Sequence, residues 1–190
     1  AWRGALLCAA LFTASVAHAQ GVRPGELLIY YGYPSAINAT YSVPLAAAEF
    51  SPYDIVVWGD GLDDPAHPDH ANAAAILATP AMSATRVFGY VDLGVATQNL
   101  GPAAIELRIT RWKQMGASGV FLDDFGYDYG TTRARQNAAV AFAHSLGMPV
   151  IANAWVPDDA FSADVHPTGN PAGVPTALGA GDHYLYESHG

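Results

Sequence analysis

Six apolar runs recur along the chain. Each ends in polar or aromatic residues and a turn. They are LLIYYGYP (27–34), DIVVWGDG (54–61), RVFGYVDLG (86–94), GVFLDDF (119–125), PVIANAW (149–155) and HYLYESHG (183–190). They are apolar throughout instead of alternating, as strands are when both faces of a parallel sheet are covered. Helical stretches lie between them. NAAAILATPAM precedes the third run. GPAAIELRITRWKQMGAS precedes the fourth: Pro102 suits a first helical turn, Ile105, Ile109, Trp112 and Met115 share a face, and Gly116 ends it. TTRARQNAAVAFAHSLGM precedes the fifth, with Thr131 or Thr132 as cap and Gly147 as stop.

Alternation of strand and helix at a pitch of about 25–35 residues predicts βα units. A doubly wound open sheet and a (β/α)8 barrel compete for this pattern. No G-x-G-x-x-G follows the first run and no Walker-type Gly-Lys is present, so nucleotide binding has no support. Polar and aromatic residues instead gather at the C-terminal ends of nearly all the runs: Tyr31 and Tyr33, Trp58 and Asp60, Asp92, Asp123 and Asp124, Asn153 and Trp155, and Glu187. That distribution marks the C-terminal face of a barrel. Such a barrel usually takes about 250 residues and eight strands. The expectation is therefore a (β/α)8 barrel truncated after its sixth strand, lacking two βα units and with its first and sixth strands as open edges.

Composition narrows the setting. The 190 residues are 51% hydrophobic, enough for one domain with a core. A formal net charge of −9 with 8 Lys+Arg argues against nucleic acid or an anionic membrane as partner. The opening AWRGALLCAALFTASVAHAQ has an early Arg3, an apolar stretch from Ala5 to Val16, and Ala17-His18-Ala19. This predicts a secretory signal over 1–19, cut before Gln20, and a barrel domain over 20–190. The apolar stretch is short for a membrane span, so no span is expected in the mature chain. The one cysteine, Cys8, lies in the signal, which leaves the mature chain without thiols or disulfides. The expected location is periplasmic or extracellular.

The strand-end acids carry the candidate chemistry. An Asp held at the end of a buried strand is partly desolvated, which suits it to proton donation. Adjacent strand residues point to opposite faces. Asp123 and Asp124 therefore both reach the cleft only if the strand bends; otherwise one faces it and the other caps a loop or orients its neighbour. Glu187 ends a further apolar run two strands on. Carboxyls across a cleft are what glycoside hydrolysis uses. Tyrosines and tryptophans near the strand ends are suited to stack on sugar faces. Tyr31, Asp60, Asp92, Asn153 and Trp155 are expected to line the substrate subsites. Tyr30, Tyr90 and Tyr184 read better as core. The loop GLDDPAHPDH (61–70) matches no metal-ligand spacing, and neither metal nor cofactor is expected.

GASGVFLDDFGYD, VFGYVDLG and HYLYESHG resemble the spherulin-4-like glycoside hydrolases and the related endo-α-1,4-polygalactosaminidase group, over nearly all of 27–190. The resemblance implies a secreted (β/α)8 barrel acting on a galactosamine-containing polysaccharide. Spherulin-4-like members end the fourth strand in Asp-Glu, and that pair with a later Glu are their functional acids. By this likeness Asp123, Asp124 and Glu187 carry the chemistry. Asp124 departs from the pattern and reaches one methylene less far. The polygalactosaminidase pattern gives the role to the first acid, here Asp123. A non-catalytic carbohydrate-binding barrel is the alternative.

Overall fold

The computed structural model describes residues 25–59 and 61–186. Its strands and α-helices alternate: β1 (Leu27–Tyr30), α1 (Val43–Phe50), β2 (Ile55–Trp58), α2 (His70–Leu77), β3 (Arg86–Asp92), α3 (Pro102–Met115), β4 (Gly119–Asp123), α4 (Arg133–Ser145), β5 (Val150–Asn153), α5 (Pro157–Phe161) and β6 (His183–Leu185). The strands form one sheet in the order β1-β2-β3-β4-β5-β6, parallel at every pairing. Sequential order with a helix between parallel strands is the barrel path, not the reversed order of a doubly wound sheet.

The sheet curls into an open (β/α) barrel of six strands. Arg86 on β3 donates to His183 Nε2 on β6 at 3.3 Å, and the rings of Phe88 and His183 lie 5.9 Å apart. β3 and β6 are three places apart in the sheet, so these contacts require strong curvature. Two apolar layers follow. Val57, Phe88, Phe121 and Ile151 fill the concave side. The intervening residues Val56, Val87, Val91, Val120, Leu122 and Val150 pack outward with Phe50, Ile109, Trp112 and Val140 of the helices. This two-sided burial explains the unbroken apolar runs of the sequence.

The helix ends obey local rules. Gly116 closes α3 at φ 97°, where its amide bonds back to the Trp112 and Lys113 carbonyls. Thr132 caps α4 by accepting from the Arg135 amide at 3.3 Å. Trp58 is a core residue: it is fully buried on the helix side, with its ring 5.4 Å from that of Phe50.

Candidate active site

Strand alternation sends Phe121 and Asp123 of β4, Ile151 and Asn153 of β5, and Phe88 and Tyr90 of β3 to the concave side. The apolar member of each pair builds the lumen floor. The polar member lies two residues on, toward the C-terminal rim. There a cleft of about 190 Å³ is lined by Tyr31, Asp123, Asp124, Tyr129, Asn153, Ala154 and Trp155.

Asp123 is held between two donors. Asn153 Nδ2 donates to its Oδ1 at 2.8 Å, and the Tyr90 hydroxyl also hydrogen-bonds it. Burial, followed by the charge of Asp123, holds the Tyr90 phenol well above its ordinary range. It is therefore a fixed donor at any physiological pH. Tyr90 touches Tyr31 edge-on at 5.7 Å and Phe121 at 6.0 Å, joining the floor to the rim.

Asp124 reaches the same cleft because the strand stops being regular. Its φ is 51°, in the left-handed region that Asp tolerates better than most residues. The bend turns the second carboxyl back beside the first. Gly94 makes room: a Cβ there would lie 2.2 Å from Thr97 Oγ1 and 3.0 Å from Asp124 Cβ. Thr131 Oγ1 secures the bend, at 2.8 Å from the Asp124 carbonyl and 2.9 Å from that of Leu93. Burial pushes the Asp124 carboxyl up to about 6; a hydrogen bond with Thr97 opposes the rise, and the charges of Asp123, Asp92 and Asp128 add to it. Two carboxyls in one cleft, one holding its proton to near neutrality, provide a proton donor beside an acceptor.

The other sequence candidates separate. Tyr31 and Trp155 stand at the rim, 59% and 47% exposed, and Trp155 Nε1 donates to Tyr129 Oη at 3.2 Å. Aromatic side chains this accessible at the cleft are suited to contact a sugar. Asp92 is 2% exposed and outside the cleft lining; its Oδ1 accepts from the Gly94 amide at 2.6 Å and Thr97 Oγ1 at 2.8 Å. In this structure it braces the loop after β3 and acts on the cleft through its charge. Asp60 and Glu187 lie outside the described residues. The loop after β2 braces its neighbour: buried Asp69 accepts from the Ser35 amide, Ser35 Oγ and Asn72 Nδ2 at 2.9, 2.6 and 2.7 Å. Among the described residues no group of three or more His, Cys, Asp or Glu could hold a metal ion, and no helix is long and apolar enough to cross a membrane.

Two cleft residues escaped the sequence reading in part. Tyr90, read as core, does pack on the floor but places its hydroxyl on Asp123. Its position two residues after Phe88 was the available signal. Tyr129 was one aromatic among many, and nothing local marked it as the partner of Trp155.

No protein-family model and no curated protein matches the chain. Solved structures to which the chain is similar include the glycoside hydrolase domain of PelA from Pseudomonas aeruginosa, 17% identical with a TM-score of 0.42 over 70% of this chain and 60% of that one. Pyruvate carboxylase from Rhizobium etli is 15% identical with a TM-score of 0.47, over 84% of this chain and 15% of that one. A rubisco-like protein from Alicyclobacillus acidocaldarius is 16% identical with a TM-score of 0.42, over 73% and 34%.

Proposed function

We propose that the protein is a secreted glycoside hydrolase that cleaves a polysaccharide, with galactosamine-containing polymers as the first candidates. The observation that carries this reading is the meeting of Asp123 and Asp124 in one aromatic-walled cleft, with the Asp124 proton held to about 6. The polymer class comes from the resemblance of the strand-end motifs, and export from the apolar leader over 1–19.

In the proposed reaction Asp124 protonates the glycosidic oxygen as the bond from that oxygen to the anomeric carbon breaks. The bonding pair leaves with the oxygen. A carboxylate then either attacks the anomeric carbon or takes a proton from a water that attacks it, and water supplies the hydroxyl of the new reducing end. Asp123 and Glu187 are the candidates for that carboxylate. Tyr90 and Asn153 hold Asp123 in place, while Tyr31 and Trp155 present rings to the sugar faces.

The test is release of reducing ends from galactosamine polymers by the full chain, Asp124→Asn and Glu187→Gln. Loss of a general acid is expected to lower the rate by about 10²–10⁴-fold in Asp124→Asn. Full activity in Asp124→Asn would refute the proton-donor assignment, and full activity in Glu187→Gln would remove Glu187. Saturable polymer binding without product release would make the protein a carbohydrate-binding barrel instead.

A further inference from the structure

Asn153 has two polar ends, and only one is satisfied. Its Nδ2 donates to Asp123 Oδ1 at 2.8 Å, while its Oδ1 is buried with no hydrogen-bonding partner. The residue as a whole is 7% exposed and lines the cleft. An ionised carboxylate accepts only, so Asp123 must face the NH2 end and the amide cannot profitably flip. The backbone is equally fixed: Asn153 is the last residue of β5, it pairs with Leu185 of β6, and its carbonyl accepts from the Phe125 amide at 2.9 Å. A buried acceptor left unpaired is costly and is normally answered by a ligand group or an ordered water. Asp123 already accepts from the other end of the same amide, and the proton of Asp124 is the one the proposed reaction delivers to the glycosidic oxygen, which leaves Oδ1 to a donor from the ligand.

We propose that Asn153 Oδ1 accepts a hydrogen bond from a hydroxyl, ammonium or amide N–H of the sugar unit that binds against Asp123. Asn153 is then a specificity-determining residue that requires a donor next to the reacting carboxyl. This rests on the glycoside hydrolase reading. It adds a prediction that reading does not contain: one particular donor on the sugar is indispensable. Replacing that donor by fluorine, which cannot donate, leaves a buried acceptor unpaired, the situation in which binding sites discriminate most strongly.

The experiment compares methyl galactosaminide, methyl galactoside and their singly deoxyfluorinated analogues, by affinity, on the full chain and on Asn153→Leu. One fluorinated position is expected to lose about 10–100-fold in affinity on the native chain and less than about threefold on Asn153→Leu. Equal losses on both proteins at every position would overturn the proposal. So would a crystal structure showing one water fixed on Oδ1 with and without the glycoside. Should Asn153→Leu not fold, the side-chain amide signals of Asn153 in the native chain decide. They shift with the parent glycoside and stay put with the analogue if the proposal holds, and respond equally to both if it does not. If no glycoside binds and no galactosamine polymer is cut, the glycosidase reading itself fails and takes this inference with it. Binding or cleavage with a flat fluorine series defeats this inference alone.

Discussion

At the N-terminal end of the strands, Asp182 accepts from the Val150 amide at 2.8 Å, the Gly179 amide at 2.7 Å and His144 Nε2 at 2.9 Å. Asp54 at the same end accepts from the Glu26 amide at 2.7 Å. At the C-terminal end, Asp124 is pressed by burial and by Asp123, Asp92 and Asp128 until it holds its proton to about 6. One end uses carboxylates as staples between a strand and the loop beside it. The other also braces loops with Asp69 and Asp92, but there Asp124 is set against Asp123, Asp92 and Asp128. Backbone amides supply compensation without mobility, so the first arrangement stabilises. Crowded carboxyls cost stability and provide reactivity. The division matches the general separation in such barrels between a stabilising face and a reactive one.

The sharpest way to break this comparison is Asp182→Ala. The Asp182 side chain is 4% exposed, and its loss leaves the Val150 amide without its acceptor at the start of β5. The Gly179 amide is exposed and can turn to water. The expected loss is roughly 2–3 kcal/mol in urea unfolding, with ligand binding unchanged wherever the chain stays folded. A loss below about 0.5 kcal/mol would show that the staple contributes no more than an ordinary surface contact.

The second prediction takes the opposite sign at the opposite end. The Asp124 carboxyl rises in the folded chain from an ordinary value of 3.8 to about 6. Below pH 3.8 the proton is bound in both folded and unfolded chains, so the group contributes nothing unfavourable. As pH rises toward 6 the unfolded chain releases the proton and the folded chain keeps it, so stability falls, and the loss is complete above about 6. Asp124→Asn removes this penalty. It is expected to melt higher than the native chain at pH 7 and to match it near pH 3.5, while losing activity. A lower melting temperature at pH 7 would show that Asp124 stabilises the loop more than its charge harms it.

The strands and helices α2, α3 and α4 were legible because burial on both sides of the sheet writes unbroken apolar runs, and because Pro102, Gly116 and Thr132 mark the ends of α3 and α4. The run 86–94 contains β3, and 119–125 contains β4. Helix α1 was missed although Ser42 and Pro44 stand at its start: Ala46, Ala47 and Phe50 are buried but apolar Leu45 is exposed, so in these eight residues apolar character does not mark the buried face. Helix α5 has five residues and no periodicity to read. In the cleft, residue types and strand ends could be read, but the shared orientation of Asp123 and Asp124 could not. It depends on one left-handed residue, and that conformation is selected by Gly94, Thr97 and Thr131 from other parts of the chain. Strand alternation, a local rule, therefore gave only the condition under which both acids meet. Asp92 shows the converse. Its strand-end position resembles that of Asp123, yet the Gly94 amide and Thr97 occupy its carboxyl.

The smallest effect separates the staple's charge from its hydrogen bonds. His144 Nε2 reaches both oxygens of Asp182, at 2.9 and 3.0 Å, but the His144 side chain is 38% exposed whereas that of Asp182 is nearly buried. An ion pair with one partner in solvent is weakened by screening, and its typical contribution is below about 1 kcal/mol. The backbone amides on Asp182 remain in His144→Gln, and glutamine can still donate. That variant is expected to lose less than about 0.5 kcal/mol at low salt and almost nothing in 0.5 M NaCl, measured by urea unfolding at pH 6. A loss as large as that of Asp182→Ala, undiminished by salt, would mean that the imidazole and not the backbone anchors the carboxylate. The N-terminal end would then depend on a side-chain partner instead of backbone amides, and the contrast between the two ends would no longer hold.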